Sequence, residues 1–322
     1  MKACEYLVTG GAGFIGSHLV EELVAQGKSV RVLDNLVSGK MENMAAFLSK
    51  IDFVKGDIRD LETCRKACEG VQFVSHQGAL GSVPRSVEDP LTTNNVNDGG
   101  TLNMLLAARD AKVKKFVFAS SSSIYGDTPT LPKIESMLPT PMSPYALSKL
   151  TGETYCRLFF DLYGLETIAL RYFNVFGPRQ DEGSQYAAVI PKFSNAVLKG
   201  NAPVIFGDGE QTRDFTFVKD VVAVNLAGFA STKEAAGRFY NVACHKRINL
   251  KQLLANIQAS AKKLGLKVPL KEVDFQPKRA GDVKDSLADI NLVSHYLGFV
   301  PKWTVEQGLD ITVAAYAKEL GL

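Results

Sequence analysis

The chain has 322 residues, 46% of them hydrophobic and 22% charged, which is enough apolar material for a large core and for two lobes. A net charge of +3 with scattered basic residues excludes a typical nucleic-acid binder. The five cysteines form neither a zinc motif nor a disulfide framework, and no apolar run is long enough to cross a membrane. We therefore expect a cytoplasmic globular protein with no bound metal.

The first strongly patterned segment predicts a strand, a glycine turn and a helix. Residues 4 to 9 are typical of a buried strand, and an amphipathic helix should run from about Phe14 to Ala25. Glycine lets the backbone approach a diphosphate, and the N-terminus of the next helix offers it free N–H groups. The turn therefore predicts a dinucleotide site, although its spacing is one residue wider than the common fingerprint. Its predicted contacts are Gly10, Gly13, Phe14, Ile15 and Gly16.

A second strand, residues 29 to 33, should end at Asp34. Asp34 follows the glycines at about the spacing of the acidic residue that binds the adenosine ribose in dinucleotide-binding folds. A carboxylate accepts hydrogen bonds from both ribose hydroxyls and repels a 2′-phosphate, so the sequence favours NAD over NADP. The following loop adds Asn35, Ser38 and Gly39 to the predicted cofactor site.

The alternation continues with strands at 51–55, 71–75 and 114–119 and helices at 61–68 and 90–109. Strands that alternate with helices predict an α/β fold with a doubly wound parallel sheet of the Rossmann type. Ligands of such sheets bind beyond the C-terminal ends of the strands. His76 ends one strand and is either a base or, more commonly, a structural hydrogen-bonding residue. The residues expected to line the crevice are Asp57, Ile58, Gln77, Ala79 and the serines Ser120 to Ser123.

Tyr145 and Lys149 should share one face of a helix that runs from 143 to 163, because they are one turn apart. Ser143 and Pro144 suit its first turn. An ammonium group next to a phenol favours the phenolate, so the pair could supply a base near neutral pH. With a serine hydroxyl and a nicotinamide ring, the pair predicts a hydride-transfer site.

After a strand at 165–171 the regular alternation lapses, which predicts a smaller C-terminal α/β domain for the substrate. The expected domains are residues 1–173 and 174–322, with a segment of about 211–243 that returns to the first. Arg213 and Arg279 could clamp a diphosphate, or they could be solvated loop charges.

Several motifs together resemble the extended short-chain dehydrogenase/reductase family over almost the whole chain: the glycine turn, Asp34, Asp57, residues 121–126 and the Tyr145/Lys149 pair. Segments 76–86, 171–177 and 185–191 further resemble the bacterial UDP-N-acetylhexosamine 4-epimerases. The resemblance implies an NAD cofactor, a UDP-sugar substrate and a homodimer that pairs helices 90–109 and 143–163 of two chains. It also implies that Asn97, Tyr172, Tyr145 and Lys149 bind the cofactor. The implied substrate contacts are Gly81, Ser82, Asn174, Ala188, Val189, Phe206, Arg213, Arg279, Asp282 and Ser286.

The resemblance also bears on the reaction. Related dehydratases and decarboxylases carry acidic residues where this chain has Ser122 and Ser123, so we expect 4-epimerisation through a 4-keto sugar. Ser121 is the expected catalytic serine, with its two neighbours as alternatives. Ser286 should leave room for an N-acetyl group. UDP-glucose and an N-acetylated uronate, held through Arg85, are alternative substrates. Dehydration, decarboxylation and non-catalytic NAD sensing are alternative functions.

Overall fold

A computed structural model describes residues 4–181, 188–266, 271–278 and 284–322. Its strands are β1 (Tyr6–Thr9), β2 (Val30–Asp34), β3 (Asp52–Lys55), β4 (Phe73–His76), β5 (Lys115–Ser121), β6 (Glu166–Tyr172), β7 (Val175–Phe176), β8 (Val204–Phe206), β9 (Thr212–Asp214), β10 (Thr216–Phe217), β11 (Arg238–Val242), β12 (Arg247–Asn249) and β13 (Asp274–Gln276). Its α-helices are α1 (Phe14–Ala25), α2 (Leu61–Cys68), α3 (Val83–Glu88), α4 (Pro90–Asn94), α5 (Gly100–Asp110), α6 (Pro144–Tyr163), α7 (Val189–Leu198), α8 (Val218–Ala230), α9 (Leu250–Lys263), α10 (Asn291–Leu297) and α11 (Val305–Glu319).

The central feature is a seven-stranded sheet in the order β11-β6-β5-β4-β1-β2-β3. Every neighbouring pair in it is parallel, which confirms the predicted doubly wound fold. The strand order reverses between β1 and β4, and crevices for ligands open at such a point. β11 pairs with β6, so the chain returns to this sheet after the shorter strands. The domain boundary at residue 174 stays a prediction.

Helices cover both faces of the sheet because successive side chains of a buried strand point to opposite sides. On β1, Val8 packs in one apolar cluster with residues of α1 and α8, and Leu7 packs in another with residues of α2, α5 and α6. A third cluster joins α7, α9 and α11 around Phe217 and Leu253. Phe14 and Ile15, at the start of α1, pack against this third core.

The predicted helix at 90–109 is continuous in space but changes its winding. A π-helical turn, Asn95–Gly99, joins α4 to α5. A π-turn holds one residue more than an α-turn and re-aims side chains, often at functional sites. Here Asn97 is buried and reaches the loop after β4, where its Oδ1 accepts from Leu80 N at 2.8 Å. Apolar periodicity carries no signal for such a turn.

Within the described ranges, no helix combines the length and the apolar character needed to cross a membrane. The same part of the chain contains no cluster of three or more side chains that could hold a metal ion.

Candidate active site

A crevice of about 560 Å³ lies along the C-terminal ends of the central strands. Most of the sequence-predicted residues line it, and they come from both halves of the chain. Those predicted residues are Gly10, Gly13, Phe14, Ile15, Gly16, Asp34, Asn35, Ser38, Ile58, Gln77, Ala79, Gly81, Ser82, Tyr145, Lys149, Tyr172 and Ala188.

The glycine turn fits a diphosphate because side chains are excluded from it. Gly10 has φ +66°, and a Cβ atom on Gly16 would lie 2.1 Å from the Gly10 carbonyl oxygen. α1 begins after Gly13 with no side-chain cap, so the first-turn N–H groups keep their positive end for a ligand. The cradle therefore matches the diphosphate of a dinucleotide.

Asp34, at the end of β2, fits the ribose of NAD. Its carboxylate accepts from Ala12 N at 3.0 Å and from Leu36 N at 2.8 Å, and the remaining lone pairs can accept from hydroxyl groups. A Cβ atom on Gly39 would lie 2.9 Å from the Asp34 carboxylate oxygens, so Gly39 keeps the space around the acid open. Asn43, which our sequence reasoning missed, donates to Ala12 O at 2.8 Å and braces the glycine turn.

Ile58 lines the crevice, and Asp57 adjoins it through the crevice-lining residues Asn35 and Arg59. Asn35 Nδ2 donates to Asp57 at 2.9 Å, and Arg59 donates two bonds to the same carboxylate, at 3.0 and 2.7 Å. The hydrogen bonds from Arg59 lower the pKa of Asp57 to about 2. Asp57 is thus a fixed anion, and Arg59 is a crevice-lining residue that the sequence analysis did not single out.

Tyr145 and Lys149 lie on the buried face of α6, whose N-terminus is capped by Ser143 with Pro144 in the first turn. Lys149 Nζ donates to Ala119 O at 2.8 Å and lies 5.8 Å from the centroid of the Tyr145 ring. Burial lowers the pKa of Lys149 to about 8. The pair therefore meets as the spacing predicted.

One part of that prediction needs correction. Burial raises the pKa of Tyr145. A hydrogen bond with Ser121, and not the charge of Lys149, opposes that rise. The Lys149 ammonium donates to the Ala119 carbonyl and lies 5.8 Å from the centre of the Tyr145 ring, which weakens its effect on the phenol.

The serine run divides between two roles. Ser120 points to α6 and donates to the buried Glu153 carboxylate. Ser121 faces Tyr145 and accepts from the backbone N–H and the hydroxyl of Ser123, at 3.2 and 2.9 Å. Ser122 begins the 3-10 turn that follows β5. Among the alternatives left open by the sequence, this geometry favours Ser121 as the hydroxyl beside the phenol.

Two predicted cofactor residues belong to a polar network. The Gln77 amide donates to Ser75, Asn225 and Tyr172, and the Tyr172 hydroxyl also accepts from Asn225 Nδ2 at 2.8 Å. Gln77 and Tyr172 line the crevice, and the network fixes both. Asn97 differs, because its amide is engaged with Leu80 and with Ser148, the latter at 3.0 Å. In the structure Asn97 therefore positions the loop after β4.

His76 is held between two hydroxyls under the crevice. Its Nδ1 lies 2.7 Å from Thr9 Oγ1 and its Nε2 lies 3.1 Å from Thr101 Oγ1. Burial lowers the pKa of His76 to about 3. Of the two readings of this residue, the geometry favours the structural one.

His76 should make stability depend on acid. The unfolded state binds a proton near pH 6.5 and the folded state only near 3, so stability falls as the pH drops through this window. Within this window the two states differ by about one bound proton, so the free energy of unfolding changes by about 1.4 kcal/mol per pH unit. We expect a His76→Asn variant to lose that contribution. Urea unfolding at several pH values measures it, and equal slopes in both proteins would contradict it. His18, whose pKa burial lowers to about 4, is common to both.

The predicted substrate residues are partly gathered. Asn174 Nδ2 donates to Asp214 O at 2.9 Å and to Ser286 Oγ at 3.3 Å, so these two predicted residues touch. Arg213, on β9, donates to the carbonyls of Thr212 and Lys284, at 2.9 and 3.0 Å. Val189 begins α7 and Phe206 ends β8. Arg279 and Asp282 lie outside the described residues, so the paired arginine clamp stays a prediction.

Residues that the sequence did not single out organise this subsite. The Asp214 carboxylate accepts from Cys244 N at 3.0 Å and from Ala288 N at 3.2 Å, which ties three segments together. Burial raises the pKa of Asp214 to about 6.

Two further basic residues that the sequence did not single out, Lys40 and Arg179, line the crevice. An arginine directly after Gly177-Pro178 at a strand end was the available signal for Arg179.

The Rossmann sheet, the glycine cradle and Asp34 define an NAD-dependent protein, and the Tyr145/Lys149 pair lies in the same crevice. The sequence matches the NAD dependent epimerase/dehydratase family over residues 6–243. A UDP-N-acetylglucosamine 4-epimerase from Methanobrevibacter ruminantium, solved with UDP-N-acetylmuramic acid, is 41% identical with a TM-score of 0.91 over 99% of this chain and 100% of that one.

Two further UDP-sugar 4-epimerases are similar to this chain over almost its whole length. The UDP-glucose 4-epimerase of Thermus thermophilus, solved with NAD, is 37% identical with a TM-score of 0.85 over 97% of this chain and 98% of that one. The UDP-glucose 4-epimerase of Mycolicibacterium smegmatis is 39% identical over 95% of this chain and 96% of its own length. This chain belongs to the NAD-dependent epimerase/dehydratase family, and its cofactor is NAD.

Proposed function

We propose that this enzyme interconverts UDP-N-acetylglucosamine and UDP-N-acetylgalactosamine by inverting C4 of the sugar. The observation that carries the proposal is that Tyr145 bonds to Ser121 and lies beside Lys149, and that Tyr145 and Lys149 line the crevice that also holds the glycine turn and Asp34. The comparisons support the coarser class, since the relatives named above are UDP-sugar 4-epimerases.

Tyr145, Ser121 and Lys149 each have a different role in the proposed reaction. NAD, when bound, would supply reversible hydride transfer with C4 of the sugar. As a phenolate, Tyr145 accepts the proton of the 4-hydroxyl and later returns it, and the hydrogen bond from Ser121 favours that ionised form. Ser121 orients the sugar hydroxyl, and Ser123 holds Ser121 in place. Lys149, fixed by the Ala119 carbonyl, lies beside Tyr145 and would bind the nicotinamide ribose of the cofactor.

The choice of epimerisation rests on what adjoins the catalytic serine. Elimination of water or loss of a carboxyl group needs a further acid or base, and the positions after Ser121 hold Ser122 and Ser123. A 4-keto sugar formed here has one productive exit, which is to turn its other face to the cofactor and be reduced. The retained Tyr145, Lys149 and Ser121 also argue against an NAD-binding sensor that catalyses nothing.

The substrate class is tested by incubating the enzyme with UDP-N-acetylglucosamine, without added reductant, and following the C4 proton by NMR. We expect conversion to the galacto epimer, faster than the parallel reaction of UDP-glucose. A product of altered mass would instead indicate a dehydratase or decarboxylase. Conversion of UDP-glucose alone would refute the acetylated substrate.

Ser286 provides the sharpest test of that substrate. It touches Asn174, and a larger side chain there would fill the space intended for the N-acetyl group. We expect Ser286→Tyr to lower kcat/KM for UDP-N-acetylglucosamine by about tenfold or more, a difference of about 1.4 kcal/mol, with a smaller effect on UDP-glucose. Ser286→Ala is the matched control because it adds no bulk. Unchanged turnover of the acetylated sugar by Ser286→Tyr would disprove the gating role.

We also propose a homodimer that pairs α4 and α6 with their counterparts in a second copy. These helices carry exposed apolar side chains, among them Leu91 at 70% and Leu147 at 55% exposure. Leu91 and Leu147 also line a groove between α4 and α6, together with Met142. Apolar surface of this kind is typical of a protein interface. Gel filtration is expected to give twice the mass of one 35.0 kDa chain, and elution as a single chain would contradict the dimer.

A further inference from the structure

A short segment after β7, residues 177–181, crosses the N-terminal end of α1. Arg179, Gln180 and Asp181 line the crevice on the side of Gly13 and Phe14, where the diphosphate of the cofactor is expected. None of the segment belongs to the glycine turn or to the catalytic helix. We call residues 177–181 the strap.

The backbone of the strap is anchored at both of its sides. The Tyr316 hydroxyl, on α11, donates to Gln180 O at 3.0 Å. His18, on α1, lies with Nε2 2.9 Å from Pro178 O, and burial lowers its pKa to about 4. A neutral imidazole donates a proton from that nitrogen, so the strap is fixed to two helices by hydrogen bonds.

Arg179 is the charged residue that the strap brings to the cradle. Its backbone has φ +65°, a conformation that non-glycine residues adopt mainly where the surrounding structure requires it. The guanidinium donates to Glu21 at 2.7 Å and lies 3.4 Å from Ser17 Oγ. Ser17 N donates to the Gly13 carbonyl, so Ser17 lies at the first turn of α1. Glu21 thus holds a cation beside the expected diphosphate.

At its C-terminal end the strap is held by an exposed ion pair between Asp181 and Lys40. Lys40 Nζ lies 3.3 Å from Asp181, and both side chains are at least half exposed. An exposed ion pair contributes about 0–1 kcal/mol, so it can open when a cofactor enters. The facing charges are balanced, with Lys40 and Arg179 against Asp181 and Glu21. Attraction to a diphosphate must therefore come from close, forked contact by the guanidinium.

We propose that the strap retains NAD in the crevice and that Arg179 is its cofactor-binding residue. Retention matters because of the proposed function, on which this part of the inference rests. In a 4-epimerisation the electron pair removed from the sugar has to come back from the same cofactor molecule. Escape of the reduced cofactor would leave a ketone and an inactive protein.

The test measures cofactor content and release. Arg179→Met removes the charge and keeps most of the side chain, and Tyr316→Phe removes the strap's hydroxyl anchor without touching the crevice. We expect purified Arg179→Met to carry less NAD per chain than the wild type and to release NAD about tenfold faster or more after dilution. Tyr316→Phe should release it a few times faster.

The matched control is Arg65→Met, which removes an arginine from an exposed ion pair with Glu62 on α2. Its NAD content and release should equal those of the wild type. Release from Arg179→Met at the rate of this control, with the thermal midpoint preserved, would overturn the proposal. NAD release does not depend on the sugar, so fast release from Arg179→Met upholds the strap whatever the wild type does with UDP-sugars. Absence of UDP-sugar turnover in the NAD-loaded wild type would refute the proposed function alone.

Discussion

Replacing Tyr145 with phenylalanine is expected to lower kcat by about 10²–10⁴-fold, because the variant loses the group that moves the proton of the sugar hydroxyl. The ring still fills the partly buried position on α6, and the Lys149 ammonium keeps its bond to the Ala119 carbonyl. Cofactor content and thermal midpoint should therefore change little. The rate of epimerisation, followed by NMR, is the measurement.

The matched control is Tyr155→Phe, a tyrosine on the same helix that packs against the apolar cluster under the sheet. It should leave kcat close to that of the wild type, because Tyr155 does not line the crevice. If Tyr145→Phe epimerises at the rate of this control, the proposed acid/base role is wrong.

The largest effect on stability is expected at Arg171. Its guanidinium donates two bonds to the Glu153 carboxylate, at 2.9 and 2.8 Å, and the two side chains are only 1% and 3% exposed. Arg171→Met leaves the carboxylate buried without its cation, which costs about 3–5 kcal/mol. Urea unfolding should show that loss in the free energy of unfolding.

Arg157→Met serves as the control, because Arg157 forms an exposed ion pair with Asp161 on the same helix as Glu153. Such helical pairs contribute about 0.3–0.5 kcal/mol. Adding Glu153→Leu to Arg171→Met should recover much of the lost stability, since no charge then remains buried. A loss below about 1 kcal/mol in Arg171→Met would show that Glu153 finds another partner.

The fold could be predicted because its signals are local and regular. Alternating apolar segments and glycine turns define the order of strands and helices, and parallel sheets join such units in few ways. Boundaries were less certain. The fourth strand begins at Phe73, two residues later than predicted, because Val71 N still bonds to the Cys68 carbonyl and completes the turn after α2. The π-turn at Asn95–Gly99 also had no sequence signal.

The site could be predicted where one residue type has one chemical use at a fixed spacing, as with Asp34 and with Tyr145 and Lys149. Contacts between distant segments could not. Nothing in the run of serines shows that Ser120 bonds to Glu153 while Ser121 faces Tyr145. The pKa of Tyr145 likewise depends on burial and on its hydrogen bond with Ser121, and both are properties of the folded chain.

The most direct test uses UDP-N-acetylglucosamine that carries deuterium at C4. If the hydrogen leaves with its electron pair and returns from the same cofactor, the galacto product formed in ordinary water retains the deuterium at C4. Loss of the deuterium to solvent would show that C4 is deprotonated instead, which contradicts the account. The position of the label is read by NMR of the recovered sugar.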